Sequence, residues 1–383
     1  MSAAGEWPGE LPSDLPNETR GRSHRPQTPA RQRRLRSRRW LAIAGGLLSA
    51  ALGPVSAAVA QGEIDVVHVN GPIYMIVGAG GNIAASVGLD GVLLVDSGSA
   101  EYSSDVFDTL QQIQARQTAG QRPSGPNWGA EGRSSVLDNR NPPAPPKPVR
   151  YIINTGTSTD RIGGNAAIGA QHGVTYTGGN VAGTIGDAGE GAAIWAHEAA
   201  LFQLIARGLP FEALPTDTYY GSGTKLSHFF NGDGVRMVHM PAAQADGATL
   251  VHFNRSDVIV TGNFFSQTSY PIIDLQNGGT VDGVLSALNY VLELAIPEFR
   301  TEGGTMIVPA YGRLSDSADV GYYRDMVTIV RNNIEEMIRR GMSLRQVQVA
   351  RPTKAYDARF GNTAGDWTAE MFVEAVYRSL SED

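Results

Sequence analysis

The chain of 383 residues contains no cysteine. That absence excludes a disulfide framework, thiolate metal sites and cysteine nucleophiles together. Charge is also scarce, at 18% of residues against a usual ~25%. The formal net charge of −7 excludes a generally basic protein that coats nucleic acid. Long apolar runs are few. Trp40–Ala60 is uncharged but broken by Gly45, Gly46, Gly53 and Pro54, and no later segment reads as a membrane span. What the chain has in plenty is glycine, 46 residues, which predicts many tight turns.

The charge is unevenly placed. Residues 1–60 carry nine Arg and four acidic residues, which leaves 22 basic and 34 acidic residues in 61–383. Residues 1–30 show no apolar period and predict no fold. Arg31 to Arg39 supply a basic stretch, Trp40–Ala60 an apolar one, and Ala58-Val59-Ala60 a small-x-small exit. These are the three parts of an export signal. Ser37-Arg38-Arg39-Trp40-Leu41 resembles the twin-arginine signature, which serves export of folded proteins. The expectation is a periplasmic or secreted protein cleaved near Ala60, which meets a membrane only if the signal stays uncleaved.

From Ile64 onward, short apolar strands alternate with helical spacing. Ile64–Val69, Ile73–Val77, Ile83–Val87 and Val92–Asp96 predict an antiparallel meander with Asp90-Gly91 as a turn. Asp105–Gln117 has helical spacing. Residues 119–149 are rich in Gly, Pro, Ser and Arg and predict a disordered insertion. Arg150–Asn154 predicts a strand and Ala192–Arg207 a helix. Strands are predicted at Leu226–Phe230, Val235–His239, Thr249–Phe253, Val258–Thr261 and Thr305–Val308. A helix is predicted at Gly283–Leu292, and further helices fill 318–383. Two strand-rich halves, each followed by helices, predict two packed sheets with helices outside, in one domain over 61–383.

An ordered set of segments resembles the metallo-β-lactamase fold family of zinc hydrolases. It runs through Gly80-Gly81-Asn82, Gly91-Val92-Leu93-Leu94-Val95-Asp96-Ser97-Gly98, Tyr151-Ile152-Ile153-Asn154-Thr155, Gly163-Gly164-Asn165 and Ala196-His197-Glu198. It continues through Asn231-Gly232, Asp246-Gly247, Thr261-Gly262, Gly278-Gly279 and Val308-Pro309-Ala310-Tyr311-Gly312. The tail from Ile334 through Trp367 is similar to the C-terminal helices of the family's exported branch. The resemblance implies an α+β fold, a four-layer αβ/βα sandwich.

It also implies where two zinc ions should sit, and there the chain departs from the family. The family's His-x-His-x-Asp-His segment aligns with Gly156-Thr157-Ser158-Thr159-Asp160-Arg161. The histidine of its Ala-His-Thr-Asp-Gly segment is Gln244, the aspartate of Thr-Gly-Asp is Asn263, and the histidine of Pro-Gly-His-Gly is Tyr311. Of these ligand positions Asp160 alone keeps a ligand type. A catalytic zinc needs three imidazole or carboxylate donors and an open position. Gly156 offers no side chain, Ser158 and Gln244 are poor neutral donors, and the Arg161 guanidinium does not deprotonate. A +1 charge about 5 Å from a +2 ion costs roughly 6–7 kcal/mol at an effective dielectric near 20.

The expectation is therefore a protein without a cofactor, with zinc as the alternative if the family's chemistry persists. Ser158, Asp160, Arg161, Gln244, Asn263 and Tyr311 should converge on a polar, partly cationic pocket. Arg161 would pair with Asp160 inside it or clamp an anion. His172, His197, His228, His239 and His252 lie in the body, and ordinary packing explains them better than a rebuilt metal site. The reading is a pseudo-hydrolase that binds a small polar or anionic ligand, or a protein partner such as an active relative, and no nucleic acid. The alternative is a hydrolase of the family, by zinc chemistry or by an altered metal-independent site. In the latter Ser158 would be the nucleophile or Tyr311 the acid, with no histidine base evident beside Ser158.

Overall fold

The computed structural model describes residues 64–119, 147–170, 191–295, 304–362 and 367–381. The segment expected to be an export signal, most of the Gly- and Pro-rich insertion, and His172 lie outside the described residues.

The first sheet has seven strands in sequence order. They are β1 (Asp65–Asn70), β2 (Ile73–Val77), β3 (Ile83–Gly88), β4 (Gly91–Val95), β5 (Val149–Ile153), β6 (Ala193–His197) and β7 (Asp217–Tyr219). The first four pair antiparallel, as the meander reading predicts, with Asp90 in the β3–β4 turn. From β4 to β7 the pairing is parallel. Parallel neighbours need crossovers, which helices supply. Helix α1 (Ser103–Ala119) leads from β4 towards β5, and the short helices α2 (Thr159–Ile162) and α3 (Asn165–Ala170) follow β5. Helix α4 (Glu198–Ala206) joins β6 to β7.

The second sheet has five strands in the order β12-β11-β10-β9-β8. These are β8 (Gly223–Phe230), β9 (Asp233–His239), β10 (Thr249–Phe253), β11 (Val258–Val260) and β12 (Met306–Val308). The remaining helices are α5 (Val281–Leu294), α6 (Ser317–Arg339), α7 (Leu344–Ala350), α8 (Asp357–Phe360) and α9 (Ala369–Ser381).

The period-2 alternation of strand side chains assigns the layers. In β4, Leu93 and Val95 face the second sheet and pack with Val251, Phe253 and Val260. Val92 and Leu94 point the other way, onto Val106, Leu110 and Ile113 of α1 and Ile168 of α3. In β10, Val251 and Phe253 face inward, while Leu250 meets Val284 and Leu288 of α5, Val327 of α6 and Phe372 of α9 within one cluster. Helix, sheet, sheet, helix is the four-layer sandwich expected from the sequence. Each fully buried Val or Leu contributes about 1.5–3 kcal/mol, so strands buried on both faces, such as β4, anchor the sandwich.

One local expectation is corrected. The single helix predicted over Ala192–Arg207 is a strand, β6, followed by the shorter α4. Ile194 and Trp195 point to opposite layers, Ile194 to the helix side and Trp195 to the sheet interface, which a helical stripe would not allow. The apolar run Ala192–Ala196 fits either period locally, and parallel pairing with Tyr151–Ile153 and Asp217–Tyr219 decides it. β7, three residues long, lies in a stretch for which no strand is predicted.

At one end of the sandwich the sheets are joined by side chains. Asn231 Nδ2 donates to Ser86 Oγ and to the Gly91 carbonyl, both at 3.1 Å. The Asp90 amide donates to Asn231 Oδ1 at 3.0 Å, and the Asn231 amide donates to Asp90 Oδ2 at 2.7 Å. Asn231 sits at φ 51°, a left-handed conformation that Asn tolerates better than most residues. Among the described residues, no helix is long and apolar enough to cross a membrane.

Candidate functional site

The site lies at the carboxyl ends of β4, β5, β9, β11 and β12, where the connecting loops meet. β5 ends at Ile153 and runs through Thr155 and Gly156 to Ser158, which precedes α2. That single turn of helix carries Asp160 and turns Arg161 inward. Arg161 is 1% exposed and is among the largest fully buried side chains.

Its guanidinium is bound on several sides. Nη1 donates to the Asn82 carbonyl at 2.8 Å and to Asp96 Oδ2 at 3.3 Å. Nε donates to Asn263 Oδ1 at 2.9 Å, and Cζ lies 5.3 Å from the centre of the Tyr311 ring, within cation–π range. Nη2 is buried without a hydrogen-bond partner. The approach of the guanidinium requires glycine at position 81, because a Cβ there would stand 2.7 Å from Cζ. The loop that supplies Gly81 and Asn82 is itself fastened, with Asn82 Nδ2 donating to the carbonyls of Pro309 and Gly312.

Asp96, at the end of β4, is the principal anion. It is fully buried and stands at φ 65°. It accepts from the Thr155 amide at 2.8 Å and from the Thr155 hydroxyl at 2.7 Å. Burial pushes its carboxyl above the usual carboxylate range, while Arg161 and the two Thr155 donors pull against that rise. Arg161 pairs with two carboxylates: Asp96 Oδ2 lies 3.3 Å from Nη1, and the expected partner Asp160 lies 3.9 Å from Nε and is 27% exposed. Asp160 also accepts a hydrogen bond from the Tyr311 hydroxyl. Burial and the nearby Asp160 carboxylate raise the Tyr311 phenol well above its usual value, so the phenol stays a donor through the neutral range.

The remaining predicted residues fall into place around this centre. Asn263 Nδ2 donates to Ser158 Oγ at 2.7 Å, so the amide bridges Arg161 and Ser158. Gln244 is buried, and its Oε1 lies 2.9 Å from where a Cβ on Gly156 would be. The glutamine thereby occupies room that a larger residue at 156 would need. Five of the six predicted residues form one bonded network, and Gln244 lies apart from it against Gly156. Ser158, Asp160 and Tyr311 form the half-buried rim, with Arg161, Asn263 and Gln244 beneath.

Sequence reasoning did not assign Asp96, Asn82, Gly81 or Thr155 to the site. A signal existed for Asp96: a carboxylate ending the apolar run Val92–Val95 must be buried, and a buried carboxylate needs a cation or several donors.

The donor set does not fit zinc. The family's ligand positions hold no imidazole here, Asp160 is engaged by Tyr311, and the buried Arg161 cation stands among them. Among the described residues, no group of three or more His, Asp or Glu is arranged to hold a metal ion. His197 serves as the N-cap of α4, its Nδ1 accepting from the Ala199 amide at 3.3 Å. His239 stacks on it, His252 lies on β10, and His228 is exposed on β8.

No family model and no curated protein matches the chain. Solved structures do. The stereoselective inverting sec-alkylsulfatase Pisa1 from Pseudomonas sp. is similar over 82% of this chain and 50% of its own, at 14% identity and a TM-score of 0.51. The DIM-1 metallo-β-lactamase is similar over 70% of this chain and 98% of its own, at 11% identity and a TM-score of 0.45. A metallo-β-lactamase from Pontibacter korlensis is similar over 70% and 99%, at 12% identity and a TM-score of 0.43. With the four-layer arrangement of its sheets and helices, the chain has the metallo-β-lactamase fold.

Proposed function

We propose that this protein is an exported, metal-free pseudo-hydrolase of the metallo-β-lactamase fold that acts by binding. The observation that carries the reading is the buried Arg161 guanidinium, held by Asp96, Asn82 and Asn263 where family resemblance puts the metal ligands. Zinc-bound water supplies hydroxide at neutral pH in active relatives. Here a fixed cation that cannot ionise water takes the centre of the site.

The same geometry argues against a metal-independent hydrolase. Ser158 Oγ accepts from Asn263 and has no histidine to take its proton. Tyr311 already donates to Asp160. The clamp role for Arg161 is not favoured either, because Nε and Nη1 are held by internal partners and the whole side chain, Nη2 included, is buried. A ligand would meet the rim of Ser158, Asp160 and Tyr311. With a carboxylate on that rim, a neutral polar molecule or a protein partner suits it better than an anion.

Elemental analysis of the purified protein tests the reading. We expect below about 0.1 zinc per chain even after incubation with the metal, since an intact site binds stoichiometrically. Zinc near one or two per chain, with hydrolysis of lactams, sulfate or phosphate esters or thioesters, would overturn it. For export, the periplasmic protein should begin at Gln61, and an unprocessed chain in the cytoplasm would contradict that part.

A further inference from the structure

Two strand-end histidines have an arrangement that the binding reading does not use. His197 ends β6 and caps α4, and His239 ends β9. Their rings stack face to face, with centroids 3.8 Å apart and planes inclined by 10°. Both Nε2 atoms are buried without a hydrogen-bond partner. His197 is 5% exposed. The charged groups facing the pair are Asp246 from the β9–β10 loop, its Oδ1 3.3 Å from His239 Nε2, and Glu198 on α4. From β7, Tyr219 meets the His197 ring edge-on at 5.1 Å, its phenol bound to Thr249.

The cap determines the state of His197. Nδ1 accepts from the Ala199 amide, so it carries no proton and the neutral ring is the Nε2–H tautomer. A proton on Nδ1 would remove the acceptor and set one N–H against another. A positive charge on the facing ring, 3.8 Å away, would oppose that proton further.

The capped helix is tied to the two loops that flank the site. On α4, Gln203 Nε2 donates to the Asp246 carbonyl. Just beyond its end, Arg207 Nη1 donates to the Thr157 carbonyl. Gly247 packs so closely on α4 that a Cβ there would lie 2.7 Å from the Ala200 nitrogen. Thr157 adjoins Ser158, and Asp246 is two residues from Gln244.

The geometry points to an acid-released latch at the start of α4, in which neutral His197 holds the N-terminus of the helix and a proton on its Nδ1 releases it. Burial and the neighbouring His239 both lower the proton affinity of His197, in keeping with the arrangement. The latch stands on the two rings and the cap alone. Its consequence, acid control of access to the rim, rests on the binding reading above.

The test uses the full chain labelled with 15N-histidine, titrated from pH 8 to 4.5 by imidazole NMR, alongside hydrogen exchange of residues 198–206. His197 should be the Nε2–H tautomer at pH 8. Exchange in α4 should then rise at least tenfold, together with protonation of His197 and before global unfolding. His197→Asn keeps a capping side chain that does not titrate and should abolish the step. His239→Phe keeps a ring against His197 without a charge and should move the step to higher pH. Independent titration of both rings with α4 exchange unchanged would overturn the latch. So would a step that survives in His197→Asn, or one unmoved in His239→Phe. Zinc binding, which would sink the binding reading, has no bearing on these outcomes.

Discussion

Replacing Arg161 by Met removes the charge at the centre of the site while keeping much of the side chain's length. Asp96 is fully buried, and losing its cationic partner leaves it with the two Thr155 donors. At 3.3 Å, two unit charges attract by about 5 kcal/mol at an effective dielectric near 20. Removing one member of a buried pair costs about 3–5 kcal/mol. We expect Arg161→Met to lose about that much unfolding free energy in urea at pH 8, read by far-ultraviolet circular dichroism. The pH dependence carries the sharper signature. Without Arg161, burial is opposed by the Thr155 donors alone, and the proton affinity of Asp96 rises further above the unfolded value. Between the unfolded and folded pKa the native state binds the extra proton, so stability rises as pH falls. The deficit against wild type should therefore be smaller at pH 5.5 than at pH 8. Adding Asp96→Asn should recover part of the loss, giving a coupling energy above about 1 kcal/mol in the double-mutant cycle. A loss below about 1 kcal/mol, an equal loss at both pH values, or no coupling to Asp96 would refute the buried-cation account.

Other expectations follow from the same contacts. Gly81→Ala sets a Cβ against Arg161 Cζ and should cost about 1–3 kcal/mol, a cost that shrinks in the Arg161→Met background where the flexible Met can yield. Asn231→Ala breaks the clamp to Ser86, Gly91 and Asp90 and strains a left-handed position. We expect about 2–3 kcal/mol in urea with an unchanged m-value, and an effect under about 0.5 kcal/mol would contradict the clamp. Tyr311→Phe removes the donor to Asp160 and should cost about 0.5–1.5 kcal/mol while leaving the ring beneath Arg161. Burial lowers the proton affinity of His197 and His252 in the fold, so the unfolded chain binds protons that the folded chain refuses. Stability should fall as pH drops below about 6.5, by up to about 1.4 kcal/mol per pH unit for each such histidine. A flat profile between pH 7 and 5 would exclude this.

Much of the fold was legible because its signals are local. The strands that bound the Asp90-Gly91 turn alternate clearly, and the helices α5, α6 and α9 have an apolar stripe that packs into one cluster. The helix predicted across Ala192–Arg207 failed because an apolar run fits either period, and the partner strands that decide it are distant in sequence. At the site, the six predicted residues were located by their order along the chain, and five are bonded to one another. The choice of Arg161's partner was not legible. Asp160 is adjacent in sequence and stays within 3.9 Å, but the closer and fully buried partner, Asp96, is 65 residues away and is brought to the guanidinium by β4.

By itself, the sequence determined the layer order of the sandwich and the loss of imidazole and charge from the metal-ligand positions, because residue type and spacing suffice for both. Only the tertiary structure decided how the residues at those positions are held. Which carboxylate a buried cation meets, which glycine must lack a Cβ to admit it, and which two histidines share a face all depend on distances between strands that no local pattern encodes.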